Sequence, residues 1–284
     1  MKTSITLTAE DGYSLAGTLF TPKESNSKLV VINCATGVRQ QIYFSFASYL
    51  SSEGFHVLCY DYRGIGLSKN GDIRKVKASM RIWGGLDYKA VTDYIKLNYK
   101  DYTKYLVGHS VGALILGMNE DSKIFEKFVF ASTQNAYVGH LDLKTKLLGL
   151  GGFGILEPLT TSILGYFPAP TFGLGEPLPT GVSHDWRTLI INKKSTGRLL
   201  EKSKLDISKA LNQKTFVLWG SDDAWLTKSG VEALLNEVYP SLQPSYEVIS
   251  PKESPKEEIG HVNFFRSYNK VLWKRVVTFL NASK

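Results

Sequence analysis

Through its first 134 residues the chain alternates short apolar runs with stretches of helical apolar spacing. Ser4–Thr8 and Tyr13–Phe20 flank Glu10-Asp11-Gly12, and an Asp-Gly turn between two such runs predicts a β-hairpin. Leu29–Cys34 and Phe55–Tyr60 are continuous apolar runs, the pattern of strands covered on both faces. Between them Ile42, Phe46, Ala47 and Leu50 share one helical face, and Gly54 stands where a glycine ends a helix. An amphipathic stretch from about Met80 to Tyr99 predicts a helix, with Val91, Tyr94, Ile95 and Asn98 in phase. Tyr102–Val107, Phe128–Ser132, Thr215–Trp219 and Tyr246–Ser250 have strand character, and Gly230–Tyr239 and Val262–Leu280 have helical spacing. Strands alternating with helices predict an α/β fold: a mostly parallel central sheet with helices on both faces.

Residues 135–212 break this rhythm. Glycines crowd Gly149–Gly154, and prolines stand at 168, 170, 177 and 179. Helix-like pieces occur there without a convincing strand, and Phe153, Tyr166, Phe167, Phe172 and Trp186 are too many aromatics for a disordered linker. The segment is expected to be an inserted helical cap over the carboxyl edge of a core built from residues 1–134 and 213–284.

Composition adds few constraints. The 284 residues are 43% apolar and 21% charged, enough apolar content for a sizeable core. The net charge of +8 comes from scattered lysines interleaved with acids, with no nucleic-acid-binding motif beside them, so no nucleic acid is expected as partner. Cys34 and Cys59 both lie in apolar runs; they are expected to be buried free thiols, which favours a reducing, cytoplasmic location. The first residues lack the apolar core of a secretory signal. No membrane span is expected, because the most apolar stretch, Leu147–Leu164, is interrupted by four glycines and Pro158. Two cysteines and dispersed histidines imply no metal and no organic cofactor, and oligomeric state is not encoded in any recognisable pattern.

The chemistry concentrates at Gly108-His109-Ser110-Val111-Gly112, between the strand Tyr102–Val107 and the apolar run Ala113-Leu114-Ile115-Leu116, which is expected to be helical. A G-x-S-x-G run in that setting is a nucleophile elbow. The serine occupies a strained turn, its glycine neighbours allow the close packing, and the Val111 N–H points where an oxyanion would form. Serine needs a base, and the base an orienting acid. Both are expected on loops after later strands, in the order Ser, Asp, His. After Thr215–Trp219 come Asp222 and Asp223, and after Tyr246–Ser250 comes His261. The Gly-x-x-Asp spacing from Gly220 selects Asp223, with Asp222 the alternative, because adjacent side chains diverge. His109 precedes the serine and is expected to point away from it. A second oxyanion donor is expected from the loop Asn33–Val38, at the N–H of Thr36.

With Ser110, the acid and His261 placed, the chain resembles the α/β-hydrolase superfamily over essentially its whole length. The segment Asp61-Tyr62-Arg63-Gly64-Ile65-Gly66-Leu67-Ser68 is similar to the Asp-x-Arg-Gly-x-Gly-x-Ser loop of the monoglyceride-lipase and serine-aminopeptidase-like branch. In that branch a His-Gly pair stands where this chain has Cys34-Ala35, and the alignment supports Thr36 as oxyanion donor. Ala35–Val38, Tyr43, Pro179–Val182, Asp185-Trp186 and Asp222-Asp223-x-Trp225 look most like a bacterial subgroup of predicted α/β hydrolases. For that subgroup the resemblance implies a reaction class but no substrate; with the triad placed, the expectation is a serine hydrolase of carboxylic esters or thioesters acting on a small-molecule acyl substrate. Alternatives on the same triad are an aminopeptidase or amidase, which would need an acid such as Glu157, Glu176 or Asp185 for the substrate amine, and an acyltransferase. A non-catalytic small-molecule binder on the same fold is a further alternative.

Overall fold

Continuous or alternating apolar runs become eight strands of one sheet in the computed structural model, which describes residues 1–282. They are β1 (Lys2–Thr8), β2 (Ser14–Phe20), β3 (Lys28–Asn33), β4 (His56–Tyr60), β5 (Thr103–His109), β6 (Lys127–Ala131), β7 (Lys214–Gly220) and β8 (Gln243–Ile249). Their order across the sheet is β1-β2-β4-β3-β5-β6-β7-β8. The hairpin β1–β2 registers Leu7 on Leu15 and turns through Gly12 at φ +80°. β2 runs antiparallel to β4, and every pairing from β4 to β8 is parallel. The centre is dry: Leu29 to Ile32 of β3 and Val57 to Tyr60 of β4 are fully buried. β8 closes the sheet as an exposed edge, where Pro244 is tolerated.

Parallel strands put all their carboxyl ends at one rim. The loops after β3, β5 and β7, and the chain beyond β8, therefore meet there. Register sharpens this, because β3 and β5 align Asn33 with Gly108, and β5 and β6 align His109 with Ala131.

Helices depart from the sequence pattern most clearly at four places. The Met80–Asn98 helix passes through a π-turn at Trp83–Asp87. The apolar run after the elbow is helical only at Val111–Leu114 and tightens to a 3₁₀ turn at Leu116–Met118. A Cβ at Gly117 would lie 2.9 Å from Ser208 Cβ, so tertiary crowding shapes this turn. The expected Val262–Leu280 helix is three pieces, of which only Lys274–Asn281 is α-helical. Asn269 Nδ2 donates to the carbonyls of Asn263 (2.8 Å) and Glu258 (3.3 Å), while Trp273 Nε1 donates to Phe264 O (2.6 Å). Side chains thus take carbonyls that a continuous helix would use.

The fourth departure lies between β6 and β7. Leu143–Leu164 is one unbroken helix despite its glycines. A π-turn at Gly152–Leu156 absorbs the misfit just before Pro158. The ring of Pro158 would press on the carbonyl four residues back, and that residue is Gly154. The same segment adds the helix Thr180–Ile191 and a two-residue strand pair, Tyr166–Phe167 with Leu178–Pro179.

Candidate active site

Ser110 sits at the end of β5 with φ 52° and ψ −118°, a region rarely occupied by a non-glycine residue. Its neighbours show why glycine is needed. A Cβ at Gly112 would stand 2.3 Å from Asn33 O, and one at Gly108 would stand 2.8 Å from Ala113 Cα and N. Asn33 is itself pinned: its Nδ2 donates to Gly112 O at 3.1 Å and its Oδ1 accepts from Tyr60 OH at 2.8 Å. Ser110 N donates to Ala131 O at 3.0 Å, and Thr133 Oγ1 donates to Ser110 O at 2.9 Å. The strained turn is held from both sides.

His261 Nδ1 lies 2.7 Å from Asp223 Oδ2, and Asp223 is buried. The other carboxylate oxygen of Asp223 accepts from Trp225 N at 3.1 Å. Asp222 faces elsewhere: its Oδ2 accepts from Ile259 N at 2.9 Å, tying down the loop two residues before His261. The two aspartates divide the work, one on the imidazole and one on the backbone that carries it.

His109 does more than turn away from the serine. Its Nε2 lies 2.7 Å from His261 O, and its Nδ1 lies 2.7 Å from Tyr43 OH. Ala35 N donates to the same hydroxyl at 2.9 Å. An amide can only donate, so Tyr43 Oη accepts from Ala35 and gives its own proton to His109 Nδ1; Nε2–H then donates to the His261 carbonyl. Burial, and secondarily the nearby His261, push the His109 pKa down to about 3, so the ring stays neutral. One hydrogen-bonded chain therefore joins the loop after β3, the residue before the serine and the backbone of His261. Tyr43 and His109 were missed as site residues in the sequence because each signal is local, whereas their partners are remote in the chain.

Thr36, Ser110, Val111 and His261 line one cavity of about 500 Å³. Its walls are mainly apolar, with Leu114, Leu141, Trp186, Leu189 and Ile190 among them. Neither the Thr36 nor the Val111 N–H has an acceptor among the described residues. Of the three acids considered for a substrate amine, only Glu176 reaches the cavity, and Arg39 Nε stands 3.4 Å from it. Glu157 is fully buried beneath Ser183, and Asp185 pairs with Arg81 at 3.1 Å. Among the described residues, no cluster of three or more His, Cys, Asp or Glu side chains is arranged to hold a metal ion.

Residues 24–135 match the family described as serine aminopeptidase, S33. The whole chain superposes on the esterase Pf2001 of Pyrococcus furiosus with a TM-score of 0.59, 17% identity, and 99% of this chain and 92% of that one covered. The chain has the fold of the α/β hydrolases. Two further solved structures are similar at 14% identity. One is the esterase EaEST of Exiguobacterium antarcticum (TM-score 0.61, 99% and 100% covered), and the other is a hypothetical protein, PA2218, of Pseudomonas aeruginosa (0.64, 99% and 93%). At these identities the likeness is one of fold. Among curated protein sequences none matches the chain. The family match spans β3 to β6, and so includes the Thr36 loop and the elbow but stops short of Asp223 and His261.

Proposed function

We propose that this α/β hydrolase is a serine hydrolase of carboxylic esters or thioesters, working through an acyl-enzyme on Ser110. Ser110 Oγ attacks the acyl carbonyl, His261 takes its proton and returns it to the leaving group, and Asp223 holds the imidazole in the productive tautomer. The N–H groups of Thr36 and Val111 stabilise the oxyanion, and residues 135–212 serve as the cap that walls the acyl pocket. The observation that carries this reading is the 2.7 Å contact of buried Asp223 with His261, whose side chain lines the same cavity as Ser110 on its strained turn.

The serine-aminopeptidase description of the matched family favours a second reading, removal of an N-terminal residue. That reaction calls for an uncompensated acid at the substrate amine. Glu176 is already faced by Arg39 at 3.4 Å, which supports the ester or thioester instead. Free, buried Cys34 and Cys59 fit a reducing, cytoplasmic setting.

The experiment is turnover of short p-nitrophenyl esters beside aminoacyl-arylamides, with fluorophosphonate labelling. Wild type should hydrolyse the esters and label. Ser110→Ala should do neither. Ester hydrolysis that survives Ser110→Ala would refute the assignment, and a preference for the arylamides would move it to the second reading.

A further inference from the structure

The helix Leu143–Leu164 presents an unusual face. Eleven of its residues are exposed, and nine of these are Leu or Ile, including Leu143 at 72%, Leu148 at 61% and Ile163 at 72%. A soluble surface rarely keeps so many large aliphatic side chains contiguous, and such patches mark interaction sites. The opposite face is used up in packing. Phe153 packs against Trp186 with tilted rings 4.9 Å apart, and a Cβ at Gly149 would stand 2.9 Å from Val138. Among the described residues this is the one helix long and apolar enough to cross a membrane. Its inner face is committed to the cap, so it is built to lie along a surface and not to pass through one.

We infer that this helix seats the protein on an anionic phospholipid surface. Charge points to that occupant. Lys144 and Lys146 interrupt the leucines, and the helix shows no exposed carboxylate. Its internal Glu157 is fully buried and accepts from Ser183 Oγ at 2.8 Å. Asp142, just before the helix, is occupied as its N-cap, accepting from Lys144 N and Thr145 N. The net charge of +8 draws the molecule to an anionic leaflet and repels a second copy of itself. The composition also speaks for lipid: the exposed face is Leu and Ile, without the aromatic and arginine anchors typical of protein interfaces.

The seat lies next to the chemistry. Trp186 and Ile190, against which the helix packs, line the cavity of Ser110 and His261. Resting on the ester-hydrolase reading, the inference names lipophilic, membrane-borne esters as the substrate class. The binding itself does not depend on that reading.

Co-sedimentation with vesicles of phosphatidylcholine, with and without phosphatidylglycerol, tests it on the full chain. Wild type and Ser110→Ala should both sediment with the mixed vesicles. The triple variant Leu148→Glu, Leu159→Glu, Ile163→Glu should lose about tenfold or more in partitioning. Its circular dichroism and its turnover of a short soluble ester should remain those of wild type. Lys144→Glu with Lys146→Glu should weaken the preference for phosphatidylglycerol, and an unchanged preference would overturn the part given to these lysines. Failure of wild type to bind mixed vesicles at low salt would overturn the inference. So would a dimer in light scattering that the triple variant dissolves without any vesicle binding, which would assign the helix to a second copy. If vesicles bind while no ester is turned over, the membrane seat stands and the esterase reading falls.

Discussion

Replacing Tyr43 by Phe removes one oxygen and tests the hydrogen-bonded chain behind the candidate site. The ring is fully buried and packs on Phe265 at 4.8 Å, a contact that phenylalanine keeps, so no side-chain-sized cavity opens. What disappears is the acceptor for Ala35 N–H (2.9 Å) and the donor to His109 Nδ1 (2.7 Å). Both orphaned groups belong to buried residues, Ala35 at 3% and His109 at 0% exposure. An unsatisfied buried polar group costs about 1–3 kcal/mol, so the pair should cost about 2–6 kcal/mol. That is a large share of a typical domain's stability of about 5–15 kcal/mol. Urea unfolding should show the midpoint falling with an unchanged m-value. Activity should fall as well, because the amide next to the proposed oxyanion donor, Thr36, loses its anchor. The loss should appear in kcat more than in KM, since an oxyanion donor acts mainly in the transition state. A full lost donor corresponds to about 2.7–4 kcal/mol, which bounds the kinetic effect. A stability change below about 0.5 kcal/mol, the range of neutral surface substitutions, would refute the reasoning.

His109 also links stability to pH. Its folded pKa of about 3 lies below the ordinary value of about 6.5, so between these values the unfolded chain binds the extra proton and stability falls as pH drops. The full contribution is present above pH 6.5 and is bounded by roughly 4–5 kcal/mol. Urea midpoints from pH 7 down to 4 should fall less steeply in His109→Gln than in wild type, and parallel curves would contradict the assignment. Asp223→Asn should lower kcat on a short ester by about 10⁴-fold through loss of the correct imidazole tautomer. Asp222→Asn keeps an oxygen for Ile259 N and should stay within about tenfold; equal losses in the two variants would undo the division of roles between them.

Much of this architecture was legible in residues read locally. Continuous apolar runs marked the buried strands because parallel strands have no solvent face, and the Asp11-Gly12 pair marked the hairpin because it needs a positive φ. Ser110 between two glycines was legible for the same reason: only glycine fits where Asn33 and Ala113 crowd the turn. Long-range geometry decided the rest. Which aspartate meets His261 depends on how β7 and the loop before His261 approach each other, and adjacent residues carry no local mark of that. The tie from Ala35 through Tyr43 and His109 to His261 joins positions up to 226 residues apart, beyond any periodicity. The glycines of Gly149–Gly154 argued for a broken helix. A π-turn and close packing on Val138 carry the helix through, because contacts with the rest of the fold outweigh an intrinsic propensity of about 1 kcal/mol per glycine.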